Sequence, residues 1–175
     1  MKAARFLLTA LFVAAFESAC ADSTPLRAQE TGPEPNPVHW TLAAFASGSP
    51  LQKGATVATH LHAAIAPGWH VYSLYEPPGG PTPMRITLPM RVPFTIIGNL
   101  DAPPPRSAID PGFGTETHFY TGNLDVAIPL RATRKTAGPV AIDVLYQACT
   151  RETCLPPSVD HLTAAVVAKA KEEQP

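Results

Sequence analysis

Apolar and polar residues alternate with period two from Val38 onward. Val38, Trp40, Leu42 and Ala44 share one face of an extended segment, and Val57, Leu61, Ala63 and Ile65 share one face of the next. Shorter runs follow, carrying Trp69 and Val71, then Met84, Ile86 and Leu88, then Phe94, Ile96 and Leu100, each bounded by proline or glycine. The most regular runs are Leu124, Val126, Ile128 and Leu130; Val140, Ile142, Val144 and Tyr146; and Leu162, Ala164 and Val166. Helical spacing is absent. About eight strands in roughly 130 residues, separated by turn residues, predict an all-β chain folded as a two-sheet antiparallel sandwich. Trp40 and Trp69 are expected in its core.

The beginning of the chain has a different grammar. Lys2 and Arg5 precede an apolar run from Phe6 to Phe16, and Ala19, Cys20 and Ala21 follow, which is the order of a secretory signal cleaved after Ala21. A rival reading makes Cys20 the lipidated first residue of a lipoprotein, although Glu17 stands where such signals carry a leucine-like residue. Both readings place the remainder outside the cytosol, in the periplasm, where disulfides persist. Residues 22–37, with Pro25, Gly32, Pro33, Pro35 and Pro37, read as a flexible leader; the folded domain is expected over 38–168 and a frayed tail over 169–175. No later segment reaches the length of a membrane-spanning helix.

Composition narrows the function classes. The 175 residues include 21 prolines, which argues against a helical bundle, and the formal net charge of -1 offers no basic field for nucleic acid. There is no phosphate-binding loop, nucleophile elbow or zinc-protease helix, and no cofactor is expected. The stretch Pro77 to Pro83 reads as a rigid surface connection.

Candidate chemistry lies in the two remaining cysteines. Cys149 and Cys154 occur in Tyr146-Gln147-Ala148-Cys149-Thr150-Arg151-Glu152-Thr153-Cys154-Leu155-Pro156-Pro157, with four residues between them, which a tight hairpin can fold into bridging range. Because Val140, Ile142, Val144 and Tyr146 take the buried face, the alternation assigns Cys149 to the other side, with Asp143 and Gln147, and its sulfur to the surface. Half of a zinc site is a poor alternative, since no second cysteine pair or suitably spaced histidine completes it. A passive staple over so short a loop would stabilise by about 2 kcal/mol in the chain-entropy model. Residue chemistry alone leaves staple and redox pair both open.

The segment Tyr146 to Pro157 resembles the signature of the N-terminal periplasmic domain of thiol:disulfide interchange protein DsbD, a Tyr-Gln-x-Cys strand end followed by Cys and Pro-Pro. Pro67-Gly68-Trp69-His70-Val71-Tyr72-Ser73 resembles the early strand of that family, and His118-Phe119-Tyr120-Thr121-Gly122 its aromatic cap loop. The resemblance implies an immunoglobulin-like sandwich that relays reducing equivalents through a reversible Cys149/Cys154 disulfide, Cys154 forming the mixed disulfide and Cys149 resolving it. It implies thioredoxin-like periplasmic partners, a membrane electron conduit as a separate protein, and a cap in which Phe119 and Tyr120 cover the bridge beside His118. Family members often carry one more residue between the cysteines, so loop geometry and redox potential do not transfer.

Two other readings compete. Second to the interchange reading stands a secreted β-sandwich interaction module whose disulfide is only structural. His60 and His62 alternate onto one strand face, and with His70 on a neighbouring strand they would make a copper or zinc site; the plainer reading is a solvated outer face, and no metal site is assigned.

Overall fold

The computed structural model describes residues 36–168. The signal reading, Cys20, most of the leader and the tail therefore lie outside the described residues. Asn36 and Pro37, read as the end of the leader, are tied to the fold: the Asn36 side-chain carbonyl accepts from the Val38 amide at 3.1 Å and the Tyr146 hydroxyl at 3.2 Å, and the Pro37 carbonyl accepts from the Ala66 amide at 2.8 Å.

Strands β1 (Val38–Ala46), β2 (Thr56–Ile65), β3 (His70–Tyr72), β4 (Arg85–Thr87), β5 (Phe94–Ile96) and β6 (Arg106–Asp110) make the first half. The second half holds β7 (Thr115–Tyr120), β8 (Asn123–Ala132), β9 (Val140–Tyr146), β10 (Ala148–Cys149), β11 (Ser158–Ala164) and β12 (Val166–Ala168). Among the described residues all regular structure is strand, and no helix long and apolar enough to cross a membrane occurs.

One five-stranded sheet runs β12-β1-β2-β8-β5; a three-stranded sheet runs β11-β9-β4, and a four-stranded sheet runs β10-β3-β7-β6. The two smaller sheets are joined where β9 continues through Gln147 into β10. Leu61, Leu124, Ile128, Ile142, Val144 and Val71 come from all three sheets into one hydrophobic cluster, which is why the alternation is sharpest on the strands that supply it. In β9 every second residue, from Val140 to Tyr146, is buried. Trp40 is buried with its ring 5.3 Å from that of Tyr146, while Trp69 is half-buried against the core.

The sandwich expectation holds, with corrections to its detail. There are twelve strand segments in three sheets rather than about eight in two, and β12 pairs with β1 in parallel, Ala44 opposite Val166. The unforeseen β6 is an edge strand with four of its five residues exposed, so it carries no apolar alternation to read.

Candidate functional site

The chain turns back at Thr150-Arg151-Glu152-Thr153. The Thr150 amide donates to the Thr153 carbonyl at 2.8 Å, and the Thr150 hydroxyl oxygen accepts from the Glu152 and Thr153 amides at 3.2 and 3.1 Å. Such a hydroxyl-capped turn fixes four residues tightly. Cys149 and Cys154 therefore face each other across it, their α-carbons 4.0 Å apart, and are joined by a disulfide. Just beyond it, the Leu155 amide donates to the Ala148 carbonyl at 2.9 Å.

The two sulfur-bearing residues are unequal. Cys149 is 0% exposed, whereas Cys154 belongs to the exposed class. The alternation places Cys149 on the correct side: its neighbour Ala148 joins the hydrophobic core, and Cys149 does not. The expected surface position of its sulfur is nevertheless wrong, because this outer face is itself covered.

Strand β3 builds the cover. Pro67 and Gly68, with φ of +84° at Gly68, make a turn closed by the Trp69 amide donating to the Ala66 carbonyl at 3.1 Å, and His70 emerges directly opposite Cys149. Cross-strand partners lie on one sheet face. Val71 pairs with Tyr120 and Tyr72 with Phe119, so His70, Tyr72 and Phe119 share the Cys149 face while Val71 and Tyr120 point the other way. The His70 ring lies 5.1 Å from Tyr72 and 5.1 Å from Phe119. The Tyr72 hydroxyl donates to Asp110 Oδ2 at 2.8 Å, and Asp110 Oδ1 accepts from the Gly112 amide at 2.8 Å, which ties the β6–β7 turn to β3.

The expected cap is rearranged. His118, Phe119 and Tyr120 stand in strand β7 rather than in a loop. Tyr120 packs into the hydrophobic core, its hydroxyl donating to the Pro103 carbonyl at 3.2 Å, and does not cover the bridge. His118 also turns away from the cysteine face: its backbone amide donates to both carboxylate oxygens of Glu76, at 3.0 and 3.1 Å, and its ring Nδ1 is buried 3.9 Å from Glu76 Oε1. Phe119 alone of the three shares the Cys149 face, one strand removed, with His70 between. The ring directly across from Cys149 is thus an imidazole, which local spacing could not reveal.

A cavity of about 450 Å³ opens on this face, bordered among others by Trp69, His70, Asp110, Phe119, Thr150 and Arg151. Burial lowers the pKa of His70 from its ordinary 6.5, and the Asp110 charge opposes that in part. Burial first, then the hydrogen bond and charge of Asp110 and the charge of Glu76, push the Tyr72 phenol far above its ordinary 10.0. Burial likewise raises Tyr120. Tyr72, Asp110 and Glu76 were not singled out from sequence; the one available hint was that Tyr72 falls two residues from His70 and so on its face.

The metal alternative does not assemble. His60 and His62 lie on the outer face of β2, where His62 Nδ1 meets Asp125 Oδ1 at 2.8 Å and His60 packs edge-on to Phe45. His70 belongs to a different sheet, not to a strand neighbouring β2. Among the described residues no group of three ligand-type side chains gathers.

An all-strand sandwich with a hairpin disulfide, one cysteine buried and the other exposed, defines a domain suited to thiol chemistry. The family model described as thiol:disulfide interchange protein DsbD, N-terminal, matches residues 42–165, and the chain belongs to that family. Among solved structures it is similar to the N-terminal periplasmic domain of ScsB from Proteus mirabilis, at 18% identity and TM-score 0.54, covering 76% of this chain and 48% of that one. It also matches the DsbD N-terminal domain from Neisseria meningitidis in the reduced form, at 17% identity and TM-score 0.43, covering 70% of this chain and 82% of the other. The ScsB likeness supports the sandwich fold. No curated protein matches the chain.

Proposed function

We propose that this protein is a periplasmic thiol:disulfide interchange domain that relays reducing equivalents through a reversible Cys149–Cys154 disulfide. The observation that carries the reading is the unequal exposure of the pair, in a chain of the interchange family. Exchange is an attack of thiolate on one sulfur of a disulfide, so access decides which sulfur is attacked. A reduced thioredoxin-like protein, supplied through a membrane electron conduit, attacks exposed Cys154 and expels Cys149; a second thiolate of the donor then resolves the mixed disulfide. The reduced domain passes both electrons to the disulfide of a periplasmic thiol oxidoreductase by the reverse sequence. Phe119, its ring tilted against that of His70 and bordering the cavity beside the pair, shields this face between encounters.

The test is trapping. In a Cys149→Ser variant the exposed thiol of Cys154 should accumulate a mixed disulfide with a thioredoxin-like partner, visible by non-reducing electrophoresis, whereas Cys154→Ser should not. Electron transfer at wild-type rate by either variant would overturn the reading.

A further inference from the structure

We propose that His70 is the base that takes the proton from Cys149 when this buried cysteine closes the disulfide. The inference rests on the interchange reading above and adds a residue to it. A fully buried thiol resists ionisation, yet only its thiolate attacks, so closure needs a proton acceptor at the sulfur. The β10–β3 register supplies one, since His70 is the cross-strand partner of Cys149 and such pairs hold their Cβ atoms about 4.5–5.5 Å apart on one face. The imidazole is held edge-on to Tyr72 and tilted against Phe119, so its plane is set by its neighbours.

The other ionisable groups on this face do not take that role. The Tyr72 phenol is held protonated and donates to Asp110, Asp110 also accepts from the Gly112 amide, and Arg151, bordering the same cavity, carries a guanidinium, which has only donors and no lone pair to take a proton. Burial keeps His70 neutral at pH 7, the form in which a ring nitrogen can receive a proton.

The step balances as follows. Cys154 thiolate attacks the acceptor disulfide, forming a mixed disulfide and releasing one acceptor thiolate. The Cys149 thiol then gives its proton to His70, and its sulfur attacks Cys154 Sγ. The Cys149–Cys154 bond forms as the Cys154–acceptor bond breaks, two electrons have passed to the acceptor, and the imidazolium returns the proton to the departing thiolate. The acceptor leaves with one thiol and one thiolate, and the thiolate released in the first attack takes its proton from water.

Closure can be timed without the natural partner. In a full-length Cys20→Ser background, the reduced protein is mixed with one equivalent of dithionitrobenzoate. The first thionitrobenzoate released marks the adduct at Cys154, and the second, first-order release marks attack by Cys149. The wild-type closure rate should rise through the His70 titration, whose midpoint burial moves below 6.5, and then stay flat until the thiol ionises on its own. His70→Gln should remove the plateau, slow closure about 100-fold at the pH of that plateau, and converge with wild type in alkali. His70→Phe preserves the ring packing and should behave as His70→Gln; if neither variant folds, the wild-type profile decides, and a plateau missing from it overturns the assignment. Superimposable profiles for wild type and folded variants would overturn it too, while leaving interchange intact. A wild type with no second release at any pH would overturn the interchange reading and this assignment together.

Discussion

Replacing Tyr72 by Phe removes one oxygen from the floor of the site and nothing else. Tyr72 is 1% exposed, and its ring keeps its neighbours His70 at 5.1 Å and Phe113 at 6.1 Å, so no cavity opens. What is lost is a 2.8 Å hydrogen bond to Asp110. Hydrogen bonds to charged groups contribute about 1.5–3 kcal/mol, and because Asp110 is half-buried and retains the Gly112 amide, the low end applies, about 1.5 kcal/mol. Urea denaturation of the oxidised protein at pH 8 should show that loss as a lower midpoint with an unchanged slope.

The pH dependence sharpens the prediction. The folded protein holds the Tyr72 phenol protonated well above 10.0, where the unfolded chain ionises it. Its contribution is complete below that value and is lost as pH rises, because the unfolded state then binds fewer protons, at up to about 1.4 kcal/mol per pH unit. The gap between wild type and Tyr72→Phe should therefore close by about 1.4 kcal/mol, nearly its full size, near pH 11. Equal midpoints at pH 8, or a gap that stays constant into alkali, would refute the role given to the Tyr72–Asp110 bond.

Other consequences are simpler. Glu76→Ala should destabilise by about 2–4 kcal/mol and speed hydrogen exchange at the His118 amide, since the buried carboxylate accepts from that amide and from the Ser73 hydroxyl at 2.9 Å; unchanged exchange would count against it. His161→Ala should cost no more than about 0.5 kcal/mol in thermal denaturation, although His161 and Asp143 meet at 2.6 Å, because the imidazole is largely in water. With the native fold reduced under mild conditions, pulsed iodoacetamide followed by peptide mapping should label Cys154 before Cys149; the opposite order would contradict the burial difference.

The legibility of this chain in its sequence followed the core. Strands β2, β8 and β9 place one face in the hydrophobic cluster and the other toward solvent or a thin cover, so their period-two pattern is plain. Strand β6 buries none of its residues fully and left no such trace. The cysteine pair was visible from its spacing, and the side of the sheet taken by Cys149 from its phase with Tyr146. Its burial was not visible, because the cover comes from elements distant in sequence. For the same reason Phe119 and Tyr120 looked equivalent as adjacent aromatics, whereas strand geometry sends one to the cysteine face and the other to the core. The pairing of His70 with Cys149 spans residues from separate strands and is fixed only by register.

The central claim is that the Cys149–Cys154 bond is made to open. Equilibrating the protein with glutathione buffers and quantifying the reduced fraction by thiol alkylation measures this directly. Structural bridges of secreted proteins have potentials below about −300 mV and resist the glutathione pool. A pair that works by exchange should equilibrate rapidly, at a potential above that value. A pair that stays oxidised across the whole glutathione range would be a staple, and the relay would be contradicted.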